Sequence, residues 1–117
     1  MGGRLVRAIA EQDTHALTSL FTTPLTFRAV TPRRFWDADT PVGVADIVLG
    51  TWFGTDEMVT EVIWCESDTV GDVEKVTYRL AADIAFSARV VEQVAYFSVR
   101  DGLICDMRLV CSGFRPA

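Results

Sequence analysis

The hydrophobic positions of this chain change period near its middle. In the first half they recur at helical spacing. Leu5, Val6, Ile9 and Ala10 predict a helix over Arg4–Glu11. Asp13 is placed to cap a second, short helix with Ala16, Leu17, Leu20 and Phe21 on its apolar face, and Thr22-Thr23-Pro24 stops it. Leu25–Val30 alternates weakly and predicts a short strand that Thr31-Pro32 ends, and Arg33–Asp37 is a second extended piece. Thr40-Pro41 pairs a hydroxyl cap with proline at the first helical position, so a third helix starts there. It puts Val44, Ile47, Val48 and Trp52 on one side, and Gly50 and Gly54 mark an end or a kink.

From Met58 onward the period is two. Met58–Glu66 is rich in Val, Ile and Trp, and Ser67–Asp72 is expected to be a polar turn around Gly71. Val76–Phe86 sets Val76, Tyr78, Leu80, Ala82, Ile84 and Phe86 on one face, with Thr77, Arg79 and Asp83 on the other. The last and longest signal is a hairpin. Val91, Gln93, Ala95, Phe97 and Val99 alternate before Asp101-Gly102, and Leu103, Cys105, Met107, Leu109 and Cys111 alternate after it. An Asp-Gly pair between two alternating runs selects a tight turn.

Long strands with one apolar face must bury that face, and the early helices are what the chain offers. The expected fold is therefore α+β: a single domain over residues 1–117, with a strongly curved antiparallel sheet wrapped around about three N-terminal helices. A curved sheet closed by helices on one side is a cone, and its mouth is a small-molecule cleft.

Composition removes several function classes. Net charge is −5, so no basic stripe is available to displace counterions from nucleic acid. No apolar run reaches the roughly 18 residues that span a bilayer, and the first residues lead into an amphipathic helix bearing Arg7 and Glu11, so neither membrane nor secretory signal is expected. Cys105 and Cys111 share a strand face about 20 Å apart at ~3.3 Å per residue, too far to bridge. With Cys65 they are expected to be free thiols in a reducing cytoplasm. A single histidine, His15, and no Cys-x-x-Cys pair leave no metal set, and no cofactor is expected.

The candidate chemistry lies at a few positions. Asp37 and Asp39 follow Trp36 and precede a helix; one entering the cone would be a general base raised by neighbouring aromatics. Tyr78 and Gln93 are polar residues on otherwise apolar strand faces, so they point inward, where a buried polar tip needs a partner. Trp36 and Trp52 are expected in the cavity wall, with Phe97 beside Gln93 on the same strand face.

The chain resembles the nuclear transport factor 2-like superfamily, in particular its SnoaL-like group of polyketide cyclases and ketosteroid isomerases. The residues that carry the resemblance are Thr-Pro-x-Gly-Val-Ala-Asp at Thr40–Asp46, Val-Val-Glu-Gln at Val90–Gln93 and Val-Arg-Asp-Gly-Leu-Ile at Val99–Ile104. The ending Leu-Val-Cys-Ser-Gly-Phe-Arg-Pro at Leu109–Pro116 completes it. The resemblance implies a cone that binds a small hydrophobic molecule. It also implies cofactor-free acid/base isomerase, cyclase or hydrolase chemistry; if the cone is an active site, the residues themselves point to Asp37 or Asp39 as base and Tyr78 as donor to an enolate-like oxygen. It further implies a homodimer through the outer sheet face, where Arg79, Glu92, Tyr96, Asp106 and Arg108 mix with Val90, Val94, Ile104 and Val110. The alternative role is a non-catalytic dimeric scaffold with a plugged pocket.

Overall fold

The computed structural model describes all 117 residues. Two helices open the chain, α1 (Gly2–Ala10) and α2 (Thr14–Thr18). They are followed by a β1 (Phe21–Thr31) and β2 (Arg34–Ala38) hairpin and by α3 (Pro41–Ile47). The second half is strand: β3 (Glu57–Val70), β4 (Val73–Ile84), β5 (Ser87–Arg100), β6 (Leu103–Cys111) and the short β7 (Arg115–Pro116). Both anticipated caps form. Asp13 accepts from the Ala16 N–H, and the Thr40 hydroxyl accepts from the Gly43 N–H, with Pro41 at the first turn.

All seven strands make one curved sheet in the order β2-β1-β6-β5-β4-β3, with β7 added to β5. Every pairing is antiparallel except β1 with β6, which is parallel. That parallel pair arises because the chain leaves the sheet after β2, crosses through α3, and returns to build the long meander. A cluster of 25 buried residues fills the concave side. Leu5, Val6 and Ile9 of α1, Leu17 of α2 and Val44 of α3 meet Val76, Tyr78 and Leu80 of β4, Val91, Ala95 and Phe97 of β5, and Met107 and Leu109 of β6. The sheet therefore buries the face that alternation predicted, against the helices that periodicity predicted.

Three local readings are corrected. Leu103 and Cys105 were expected inward on β6, with Ile104 outside. Instead Ser98 pairs with Asp106 and Val99 with Ile104, so Cys105 is the extra residue of a β-bulge. The bulge flips the phase: Ile104 is fully buried and Val99 turns out to solvent. Phe86 was expected to extend the inner face of β4, but β4 ends at Ile84. Ala85 and Phe86 form a two-residue turn with positive φ at both positions, leaving Phe86 fully exposed. Ser67–Asp72 was expected to be a turn, but β3 continues to Val70 and only Gly71-Asp72 turns. The end of β3 lies at a sheet edge with both faces wet, so its polar residues imitate a loop.

Candidate functional site

α3 does not stop at its last regular turn. Residues Val48–Trp52 continue it as a π-helical turn, closed by the Phe53 N–H donating to the Val48 carbonyl at 2.8 Å. Such wide turns push side chains off the helical register and recur at functional sites. Here the turn delivers Trp52 and Phe53 to the open end of the cone. Opposite them stand Val91 and Gln93 of β5 and Cys111 of β6. The tail after β6 closes the rim. Gly113 has φ +76°, and a Cβ there would lie 2.9 Å from the Pro32 ring, so only glycine lets the tail pass this close to the β1–β2 turn. The following Phe114 packs edge-to-face on Phe53 at 5.7 Å. These residues, with Thr31, Thr51 and Glu57, line a half-open cavity of about 270 Å³.

The polar groups of this cavity are unevenly satisfied. Tyr78 faces Gln93 across the β4–β5 pair. Its hydroxyl donates to Gln93 Oε1 at 2.6 Å, and both side chains are essentially inaccessible to solvent. Burial, with smaller contributions from Cys111 and Cys65, pushes the Tyr78 phenol well above its ordinary value, so it stays protonated and acts as a donor. Because Tyr78 holds the oxygen end of the amide, the nitrogen end is left over: Gln93 Nε2 is buried without an acceptor. Trp52 Nε1 is buried without an acceptor as well. Two N–H donors on residues that line one cavity are thus unmatched.

Several neighbouring polar groups are engaged. Trp36 Nε1 donates to Thr31 Oγ1 at 2.8 Å. Glu57 Oε2 accepts from the Gly54 N–H at 3.1 Å. Gln12, just after α1, ties down the Phe53–Glu57 loop. Its Nε2 donates to the carbonyls of Phe53, Gly54 and Glu57 at 2.9, 3.2 and 2.9 Å, while its Oε1 accepts from the Val59 N–H at 3.0 Å.

The anticipated site residues divide accordingly. Gln93 and Trp52 come together at the cavity, while Tyr78 is buried in the core behind Gln93, bonded to it but not part of the wall. Trp36 stands one layer behind, edge-on to Trp52 at 5.9 Å, with the Arg34 guanidinium 3.6 Å over its other side. Phe97 is fully buried among core side chains, two inward positions beyond Gln93, and does not line the cavity. Asp37 and Asp39 do not enter the cone. Both are exposed, and with Thr26 and Arg28 they line an open groove on the β1–β2 side. β2 is an edge strand, and its pairing places Asp37 opposite Arg28 on the outer face. That groove is larger, about 380 Å³, but it is wet and holds no unmatched buried group. Gln12, Glu57, Cys111 and Phe114 were not anticipated. Gln12 acts on residues more than forty positions away, which leaves no local signature.

No protein-family model matches the sequence, and no curated protein matches it. Solved structures match the fold. A structure described as an isomerase from Bacillus subtilis superposes with a TM-score of 0.75 at 11% identity, covering 95% of this chain and 86% of that one. A Catenulispora acidiphila protein with a ketosteroid isomerase-like fold, solved with trimethylamine, gives 0.70 at 15% identity, with coverages of 94% and 83%. A nuclear transport factor 2-like protein from Burkholderia xenovorans gives 0.69 at 10% identity, with coverages of 94% and 85%. The chain has the nuclear transport factor 2-like fold, and at these identities the likeness establishes the fold alone.

Proposed function

We propose that this domain takes one small, mostly apolar molecule into the open end of its cone. The carrying observation is a largely apolar cavity two of whose lining residues, Trp52 and Gln93, each keep a buried N–H, Trp52 Nε1 and Gln93 Nε2, without an acceptor. An unsatisfied buried N–H costs about 1–3 kcal/mol, and such groups are normally paired. Retaining two at a cavity is consistent with an occupant that supplies acceptors. The rest of the wall, with the faces of Trp52, Phe53, Phe114 and Val91, suits an apolar body better than water alone.

Binding is favoured over turnover by the carboxylates. Asp37 and Asp39 lie outside, and the one carboxylate at the cavity, Glu57, already holds the Gly54 amide. An isomerase- or cyclase-like reaction would have to use Glu57 as its base. The dimer belongs to the same proposal. On the outer face, the strand registers align Phe35, Val30, Val110 and Val94 in one apolar row. Phe35 is 85% exposed and Val110 52%. A second copy covering this row would leave the concave side free. No helix is long and apolar enough to cross a membrane, and the three cysteines are free, which suits a reducing compartment.

Native mass spectrometry after gentle purification tests both parts. The expected result is a dimer carrying a small retained molecule. A clean monomer with no adduct would count against the pocket and the dimer together.

A further inference from the structure

Resting on the binding reading above, we infer that the occupant carries a positive charge. The cavity is built for a small organic cation of the tertiary or quaternary ammonium kind, a charged nitrogen bearing short alkyl groups.

The charge follows from Glu57. It is the only lining residue with a formal charge, and no Lys, Arg or His lines the cavity beside it. The two ion pairs of the fold, Arg79 with Glu92 and Arg108 with Asp106, do not involve it. The residue is nonetheless held in place. Gln12 Nε2 donates to the Glu57 carbonyl at 2.9 Å, and the Gly54 N–H donates to Glu57 Oε2 at 3.1 Å. A Cβ at position 54 would stand 3.2 Å from that oxygen, so glycine keeps the approach open. The other oxygen, Oε1, receives no hydrogen bond from the protein. The fold thus fixes a half-buried carboxylate beside a mostly apolar wall, and leaves one oxygen and the countercharge to a group from outside. An anion entering here meets like charge. A neutral apolar body strips water from the carboxylate and puts nothing in its place. A cation avoids both penalties.

The body of the cation follows from the rest of the wall. Trp52, Phe53 and Phe114 line the same cavity, and the rings of Phe53 and Phe114 meet at 84° to form a corner. Aromatic rings attract ammonium groups. An ammonium whose charge is spread over alkyl groups gives up its water more readily than the compact, strongly hydrated head of a primary amine. A bare metal ion fits less well. One carboxylate is on offer, and no group of three His, Cys, Asp or Glu side chains comes together in the fold. Size follows from volume. At about 30 Å³ per water-sized group, a cavity of about 270 Å³ admits roughly nine or ten such groups, enough for a trimethylammonium head with a short tail. The net charge of −5 draws cations toward the molecule as a whole.

Three probes isolate the charge. Choline and neohexyl alcohol share a shape and a hydroxyl, and differ in one atom, a charged nitrogen against a neutral carbon. The tert-butylacetate anion places the opposite charge on the same branched body. Each is titrated into the full-length protein in low-salt buffer while the indole N–H signals are followed by ¹H–¹⁵N NMR, with the Trp52 signal assigned by its loss in Trp52→Phe. Choline should bind about tenfold more tightly than the alcohol, and the anion should bind most weakly. The advantage of choline should shrink as salt is raised. In Glu57→Gln, choline should bind no better than the alcohol. Equal binding of choline and the alcohol by the unaltered protein, tighter binding of the anion, or an advantage that survives in Glu57→Gln overturns this inference and leaves the cavity a binding site of other chemistry. The comparison in the unaltered protein decides the matter even where Glu57→Gln does not fold. Failure of all three probes to move the Trp52 signal overturns the binding reading itself, and this inference with it.

Discussion

Two glutamines, Gln12 and Gln93, carry the same amide into the interior and end in opposite states. Gln12 uses both ends of its amide on backbone groups of the Phe53–Val59 segment. Gln93 has its oxygen bound by Tyr78 and its nitrogen bound by nothing. The first is how a fold spends a polar side chain when the purpose is to hold a loop. The second leaves its nitrogen unused on a residue that lines the cavity, and the indole N–H of Trp52, another lining residue, is unused as well. The same chemistry, saturated in one place and half-used a short way off, is the contrast on which the binding proposal rests.

The largest effect should come from the saturated member. Gln12→Ala strands three carbonyls and one N–H of the rim loop. It is expected to cost about 3 kcal/mol at ~1–3 kcal/mol per unsatisfied buried group, partly relieved by water entry, and to loosen the wall that carries Phe53. Urea unfolding checks it, and a loss under about 1 kcal/mol would mean the clamp is dispensable.

Next comes pH. The Tyr78 phenol is raised above its ordinary value of 10.0 in the fold, chiefly by burial. The unfolded chain therefore ionises first. The contribution is intact below about pH 10 and is lost as pH climbs beyond it, at up to about 1.4 kcal/mol per pH unit. Tyr78→Phe should flatten that alkaline decline in a stability-versus-pH series, and an unchanged slope would show that the phenol is not sequestered.

The half-used member should give smaller, coupled effects. Tyr78→Phe or Gln93→Leu alone each strands one partner of a buried bond and should cost about 1–2 kcal/mol at neutral pH, while the double variant should cost less than their sum. Additive losses would mean that the 2.6 Å bond does not orient the amide. Smallest of all is Trp52→Phe, which removes an unmatched donor and keeps an aromatic ring. It should change stability by under about 1 kcal/mol, against the ~3–5 kcal/mol typical of truncating a buried Trp to Ala.

How much of this was legible beforehand depends on whether the signal was local. The hairpin around Asp101-Gly102, both helix caps and the inward direction of Tyr78 and Gln93 could be read from alternation, because a strand's period binds each residue to a face. A polar residue on an apolar face was the visible signal, and both Tyr78 and Gln93 are buried on the inward face it indicated. Cys105 shows where that logic breaks: one extra residue in β6 reversed the phase, and nothing in its type announces a bulge. Phe86 breaks it through a turn without glycine. Asp37 and Asp39 were misplaced because charges ahead of a helix carry no information about direction, and the edge position of β2 was needed to turn them outward. Gln12 was invisible because all four of its bonds reach across more than forty residues.

The most direct test is a high-resolution crystal structure of the protein purified without added ligand, inspected at the cavity between Trp52 and Gln93. The expected result is density for a compact non-water molecule with an oxygen within hydrogen-bond distance of Trp52 Nε1 or Gln93 Nε2. A collapsed wall, with Phe114 filling the space and both N–H groups donating to protein atoms, would contradict it.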